Sequence, residues 1–149
     1  MEQLSVTLNN GVKMPALGLG VLQSEGSEAT TAVSTALQVG YRLIDTAAAY
    51  FNEREVGRGI RESGIDRADI FLTTKLWMTD YGYVSALRGF DTSTAKLGVD
   101  YVDLYLLHWP WPASASQTVE AYRAAERLLA EGRVRAIGVA NFKAEPRAG

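Results

Sequence analysis

Four polar residues, Asp45, Lys75, His108 and Asn141, stand at the ends of four short apolar runs, at intervals of 30, 33 and 33 residues. That interval is the length of one strand plus a helix returning the chain to its starting edge, so the runs read as parallel strands of one sheet. Such a sheet presents the carboxyl ends of all its strands on one side, where α/β proteins carry their chemistry. Gly64, Gly98 and Gly132 recur every 34 residues, where each helix hands over to the next strand. This is a repeat of structure rather than of sequence.

The first of these runs, residues 41–44, has β-branched and aromatic character, follows Gly40, and leads to Asp45 and, five residues later, to Tyr50. Taken alone, Asp45 reads as a cap or turn former and Tyr50 as a half-buried packing residue. The recurrence decides for a site. Residues 70–74 run into Lys75, 102–107 into His108 and 136–140 into Asn141, which makes the four polar groups neighbours in one ring.

Along the chain, residues 4–8 alternate apolar with polar, and Asn10-Gly11 predicts a type I′ hairpin turn before Pro15 stops the second arm. Residues 17–21 read as a short, fully buried first strand of the main sheet, its glycines present for close packing, since a complete phosphate-binding glycine pattern is missing. Four helices follow. Ser27 caps residues 27–38 with Gly40 as stop; Asn52 caps a helix with Val56 and Ile60 inward that ends at Gly64; the third covers 83–97; the fourth covers 118–129 with Val119, Tyr122, Ala125, Leu128 and Leu129 inward. The hairpin over 4–15 and the βα units over 16–149 form a single domain without a linker.

Alternating βα units fit an open doubly wound sheet or a closed barrel. Polar strand ends that converge favour the barrel, because an open sheet would spread them along an edge, and a leading hairpin can plug a barrel's opposite end. About five strands in 149 residues, where a barrel has about eight strands in ~250 residues, make the expected fold the N-terminal part of a (β/α)8 barrel.

Charge and composition narrow the partners. A net charge of −2, a pI near 5.4 and the lack of a basic run argue against nucleic acid and anionic membranes. Without cysteine and with one histidine there is no disulfide, no thiolate nucleophile and no metal cluster to expect. The acidic start, with no long apolar run after it, points to the cytoplasm. A small molecule is the expected partner.

The stretches Gly40-Tyr41-Arg42-Leu43-Ile44-Asp45-Thr46-Ala47, Tyr50 with Asn52-Glu53 and Val56-Gly57, Thr73-Thr74-Lys75-Leu76-Trp77, residues 97–104 leading to His108-Trp109-Pro110, and Ile137-Gly138-Val139 with Asn141-Phe142 resemble the aldo-keto reductase family. The likeness runs through the chain to Phe142. It implies a (β/α)8 barrel that binds NADPH across its carboxyl mouth, with NADH left open, and reduces aldehydes and ketones to alcohols. Position by position it implies a catalytic tetrad of Asp45, Tyr50, Lys75 and His108, with Asp45 and Asn141 toward the cofactor.

The chemistry of these residue types agrees. Carbonyl reduction needs a hydride on carbon and a proton on the developing alkoxide, and a phenol gives up its proton readily only near pH ~10 unless helped. A lysine ammonium beside Tyr50 favours the phenolate, Asp45 keeps that ammonium charged and in place, and a neutral His108 can orient the carbonyl oxygen or pass it a proton. Trp77 and Trp109 are walls for an apolar substrate or, on the plainer reading, core packing.

Two departures from the family pattern carry expectations. Ala140 replaces a serine that would help hold the nicotinamide carboxamide, leaving Asn141 alone, and Leu22 replaces an aromatic, which widens the substrate pocket. The chain also stops before a fifth helix, and the family's phosphate contacts come from later strands. The alternative is therefore a truncated, inactive half barrel that serves as a binding or assembly module. With unprotected edges at residues 17–21 and 136–140, the 149-residue chain alone is expected to pair with itself, to bind a complementary half barrel or to aggregate, and to show little or no reductase turnover.

Overall fold

The structure is a computed structural model that describes residues 3–144. Met1, Glu2 and residues 145–149, on which the reading of the two chain ends rests, lie outside the described residues. A hairpin of β1 (Ser5–Thr7) and β2 (Lys13–Pro15) precedes β3 (Gly18–Gly20), α1 (Gly26–Gln38), β4 (Leu43–Asp45), α2 (Glu53–Ser63) and β5 (Phe71–Leu76). Then come α3 (Tyr83–Leu97), β6 (Val102–Leu107), α4 (Ala115–Ala130) and β7 (Val134–Val139). No helix among the described residues is long and apolar enough to cross a membrane.

The five strands β3 to β7 are parallel and lie in chain order, each paired with the one before it. A doubly wound sheet reverses its strand order at a switch point. This one never reverses, so every right-handed crossover lays its helix on the same face, and the result is the first five strands of a barrel wall. Successive helices pack against one another, α1 on α2, α2 on α3 and α3 on α4. Between helices and sheet lies the core, with Val33, Leu37, Ile44, Leu72, Phe90, Leu97, Tyr105 and Leu128 at its centre.

Helix ends follow the glycines. At Gly40 (φ 109°) the backbone turns left-handed, the Gly40 amide donates to Leu37 O (3.2 Å) and the Tyr41 amide to Ala36 O (2.9 Å), closing α1 in a Schellman motif. Because Tyr41 is spent on that closure, β4 begins only at Leu43, two residues later than the apolar run suggests. Helices α2, α3 and α4 end at Gly64, Gly98 and close to Gly132 as expected.

Several local expectations need correction. The hairpin turn is not type I′: only Gly11 takes a positive φ (85°), the Gly11 amide donates to Leu8 O (2.9 Å) and the Leu8 amide to Val12 O (2.8 Å). That is a three-residue loop with glycine in the left-handed position. Helix α1 starts at Gly26 with Glu25, not Ser27, at its cap position. Asn52 occupies the cap position of α2, yet its side chain makes no capping bond, being drawn to other loops. Helix α4 begins a turn early because Ser114 accepts the Gln117 amide, and Val119 is 52% exposed rather than inward. Nor is the first strand fully buried; it pairs on one side only, and Leu17 beside it is 68% exposed.

The hairpin does sit at the amino end of the sheet. Asn10 Nδ2 donates to Arg135 O near the start of β7 (2.9 Å), and the Gln3 amide reaches Gly40 O ahead of β4.

Candidate active site

Register explains how the polar residues come together. Gly20, Asp45, Thr73, Leu104 and Ala136 are lateral partners across all five strands. Lys75 lies two residues beyond that row, His108 four and Asn141 five, so the polar residues step toward the mouth by about 7 Å from β4 to β5 and again from β5 to β6. Side chains alternate in β5: Thr74 turns to the helices, where its hydroxyl donates to Glu53 Oε2 (2.7 Å), so Lys75 turns to the concave face. Asp45 is on that face too, being the lateral partner of Thr73.

The long lysine side chain spans the step. Lys75 Nζ lies 2.9 Å from Asp45 Oδ1, 2.8 Å from Asp45 Oδ2 and 3.0 Å from Thr46 O. Three acceptors match the three ammonium donors, and Lys75 is buried while the Asp45 side chain keeps a third of its surface exposed. The same ammonium sits 5.1 Å from the centroid of the Tyr50 ring.

Tyr50 ends a short 3-10 turn, Ala48–Tyr50, directly after β4. Its ring meets His108 edge to face at 5.7 Å and 74°, and Trp77 meets His108 from another side at 5.4 Å and 77°. His108 is fixed by its own backbone, whose amide donates to Leu76 O (3.1 Å). Burial, then the Lys75 charge, lower its pKa below the ordinary 6.5, with Asp45 opposing in part, so the imidazole is neutral at pH 7. Its Nδ1 is buried without a hydrogen-bond partner among the described residues.

Asn141 stands two residues past the end of β7 in the left-handed region (φ 62°), exposed, with Nδ2 donating to His108 O (2.8 Å). One amide hydrogen and the carbonyl oxygen stay available. Trp109 and Leu22 are exposed beside strand ends, at 45% and 62%. The Trp109 carbonyl accepts a hydrogen bond from Tyr81 Oη (2.6 Å), and burial holds the Tyr81 phenol up at about 12. Asp45, Tyr50, Lys75, His108 and Trp77 are therefore one cluster, and Asn141 joins it through His108. A groove of about 370 Å³ lined by Leu107, Tyr122, Val139 and Phe142 lies beside β7 and contains none of these polar side chains.

Sequence reasoning missed the supports of the cluster. Thr46 supplies the third lysine acceptor through a backbone carbonyl, which no residue type announces. Glu53 is buried, accepts from Thr74 and from Ser93 Oγ (3.0 Å), and has its pKa raised by burial, the two hydroxyls and Lys96 opposing.

Residues 16–146 match the model of the Aldo/keto reductase family. The morphine 6-dehydrogenase of Pseudomonas putida is 59% identical over 140 residues, which cover 92% of this chain and 46% of that protein. The crystal structure of an aldo/keto reductase from Brucella melitensis superposes with a TM-score of 0.92 at 57% identity, over 95% of this chain and 55% of the other. That of a Bombyx mori aldo-keto reductase in complex with NADP superposes with a TM-score of 0.85 at 33% identity, over 93% and 50%. The chain thus spans about half the length of the curated relatives it matches.

Proposed function

The chain belongs to the aldo/keto reductase family, and from that premise we propose that it reduces aldehydes or ketones to alcohols with NADPH, Tyr50 giving the proton. The observation that carries this reading is the ammonium of Lys75, held by Asp45 and Thr46 and set 5.1 Å from the Tyr50 ring. A cation so placed has no need to be there for packing. It is suited to a phenol that passes through the phenolate.

When bound, the reduced nicotinamide supplies the hydride for the carbonyl carbon. Tyr50 gives its phenolic proton to the carbonyl oxygen as negative charge develops there, and Lys75 stabilises the phenolate left behind. Neutral His108 orients the carbonyl oxygen from across the Tyr50 ring. The free amide hydrogen and oxygen of Asn141 fit the carboxamide of a nicotinamide, and the exposed part of Asp45 fits a donor on the same ligand. Trp77, Trp109 and Leu22 would bound the substrate.

Self-association, or pairing with a complementary half barrel, belongs to the same reading: β3 and β7 each pair on one side only, and Val139 on the outer strand is exposed. The test is NADPH oxidation, with a panel of simple aldehydes and ketones, by a barrel in which this chain is completed with its missing half, beside Tyr50→Phe in the same barrel. Turnover lost in Tyr50→Phe with nucleotide affinity unchanged is the expected result; turnover retained in Tyr50→Phe, or none with any carbonyl in the unsubstituted protein, overturns the reading.

A further inference from the structure

Asn52 sits where an asparagine ordinarily caps a helix, accepting an amide from the first turn through its side-chain oxygen. Here it caps nothing. Asn52 is 2% exposed, and its side chain leaves its own helix for three partners elsewhere: Nδ2 donates to Val21 O (2.8 Å) and Ser24 O (3.0 Å), and Oδ1 accepts from Thr46 Oγ1 (2.9 Å). Val21 and Ser24 belong to the loop after β3, and Thr46 directly follows Asp45. A local rule broken without local gain is what functional or strained sites show.

What the three bonds connect is specific. Thr46 lends its hydroxyl to Asn52 and its carbonyl to Lys75, so one residue separates Asn52 from the lysine cradle. On the other side Asn52 is two residues from Tyr50. The residue between them, Phe51, adopts φ 56° and is 88% exposed. An aromatic residue in the left-handed region is strained, and Phe51 has no burial to offset that. The step from Tyr50 to Asn52 persists because Asn52 is anchored.

We propose that Asn52 is a positioning residue: through Thr46 and the β3–α1 loop it sets the separation of the Tyr50 ring from the Lys75 ammonium, and so the competence of Tyr50 as proton donor. The proposal rests on the reductase reading for its kinetic consequence, but the geometry it asserts is readable without turnover.

The experiment uses the same completed barrel, with Asn52→Ala and with Thr46→Val, the second exchanging for a methyl the hydroxyl that donates to Asn52. Folding is checked by circular dichroism and cooperative melting, and the distance by the nuclear Overhauser effect between Tyr50 ring protons and Lys75 Cε protons. Both variants are expected to fold, to lose most of that signal, and to bind NADPH within about twofold of the parent. The rate of carbonyl reduction should fall by about 10²-fold, the loss that follows a misplacement of about 1 Å, with kcat bearing it and KM little changed. An undiminished Overhauser signal in a folded variant overturns the proposal, as does a rate loss that only follows the folded fraction. If Asn52→Ala does not fold, Thr46→Val decides; if neither folds, Asn52 is a folding residue and the proposal fails. Loss of signal in a protein that turns over no carbonyl at all would leave the positioning intact and sink the reductase reading alone.

Discussion

Lys75 and Asp45 are joined twice, Nζ to both carboxylate oxygens at 2.9 and 2.8 Å, although their Cα atoms belong to different rows of the sheet. The pair keeps a full positive charge inside a strand whose six residues are all buried. Lys75→Met keeps the length and removes the charge, so the phenolate of Tyr50 loses its nearest stabilising group. The expected outcome is a reductase whose kcat falls while KM changes little, recorded by steady-state kinetics. An unchanged kcat would make Lys75 structural.

Ala140 precedes Asn141 and is half-buried, its amide already donating to Leu107 O (2.8 Å). Ala140→Ser adds one hydroxyl at the mouth without touching that bond. Nicotinamide nucleotide should bind more tightly by at most about tenfold, one net hydrogen bond of ~1 kcal/mol. Fluorescence titration with NADPH measures it, and weaker binding would mean that the pocket is shaped around alanine.

Glu53 gives the protein a pH dependence of known sign. Its folded-state pKa lies above the ordinary 4.5, burial being the main cause, so the native state keeps a proton that the unfolded chain has released. The stability this contributes is fully present below pH 4.5 and is lost as pH rises through the elevated folded value. Glu53→Gln imitates the protonated form and should remove that decline. Urea denaturation of both proteins at several pH values compares the slopes; parallel curves would show that Glu53 is ionised when folded.

Gly57 packs against α3 so closely that a Cβ there would lie 2.1 Å from Leu97 O. The obstacle is backbone, which cannot swing aside. Gly57→Ala should therefore lower stability by about 1–3 kcal/mol, the usual cost of overpacking, seen as a lower Tm. A variant as stable as the parent would show that α2 and α3 separate at little cost.

These residues divide by what a local pattern can carry. Gly40 and Gly98 were legible as helix stops, since a left-handed φ is a property of one residue's own backbone. The apolar runs 70–74 and 102–107 were legible as strands because short stretches rich in β-branched and aromatic residues favour extended chain. Asp45, Lys75 and His108 were legible as a group because each ends a strand and the strands repeat. The hairpin was found but its turn was not, because Asn10-Gly11 serves a two-residue and a three-residue loop equally well and the pairing of Ser5 with Pro15 chooses between them. Val119 was misplaced because helical spacing gives the direction of a face, whereas its burial depends on what stands opposite.

By itself, then, the sequence determined the alternation of strand and helix, the places where helices stop, and the four polar residues on one edge of one sheet, all consequences of backbone preference and spacing within a few turns of chain. Tertiary structure alone decided that Asn52 abandons its own helix for Val21, Ser24 and Thr46, that burial raises the pKa of Glu53, and that Lys75 spends its third donor on a backbone carbonyl. Each of those depends on distance and desolvation between segments up to 40 residues apart, as between Glu53 and Ser93, and no local pattern encodes a distance that exists only after the chain has closed on itself.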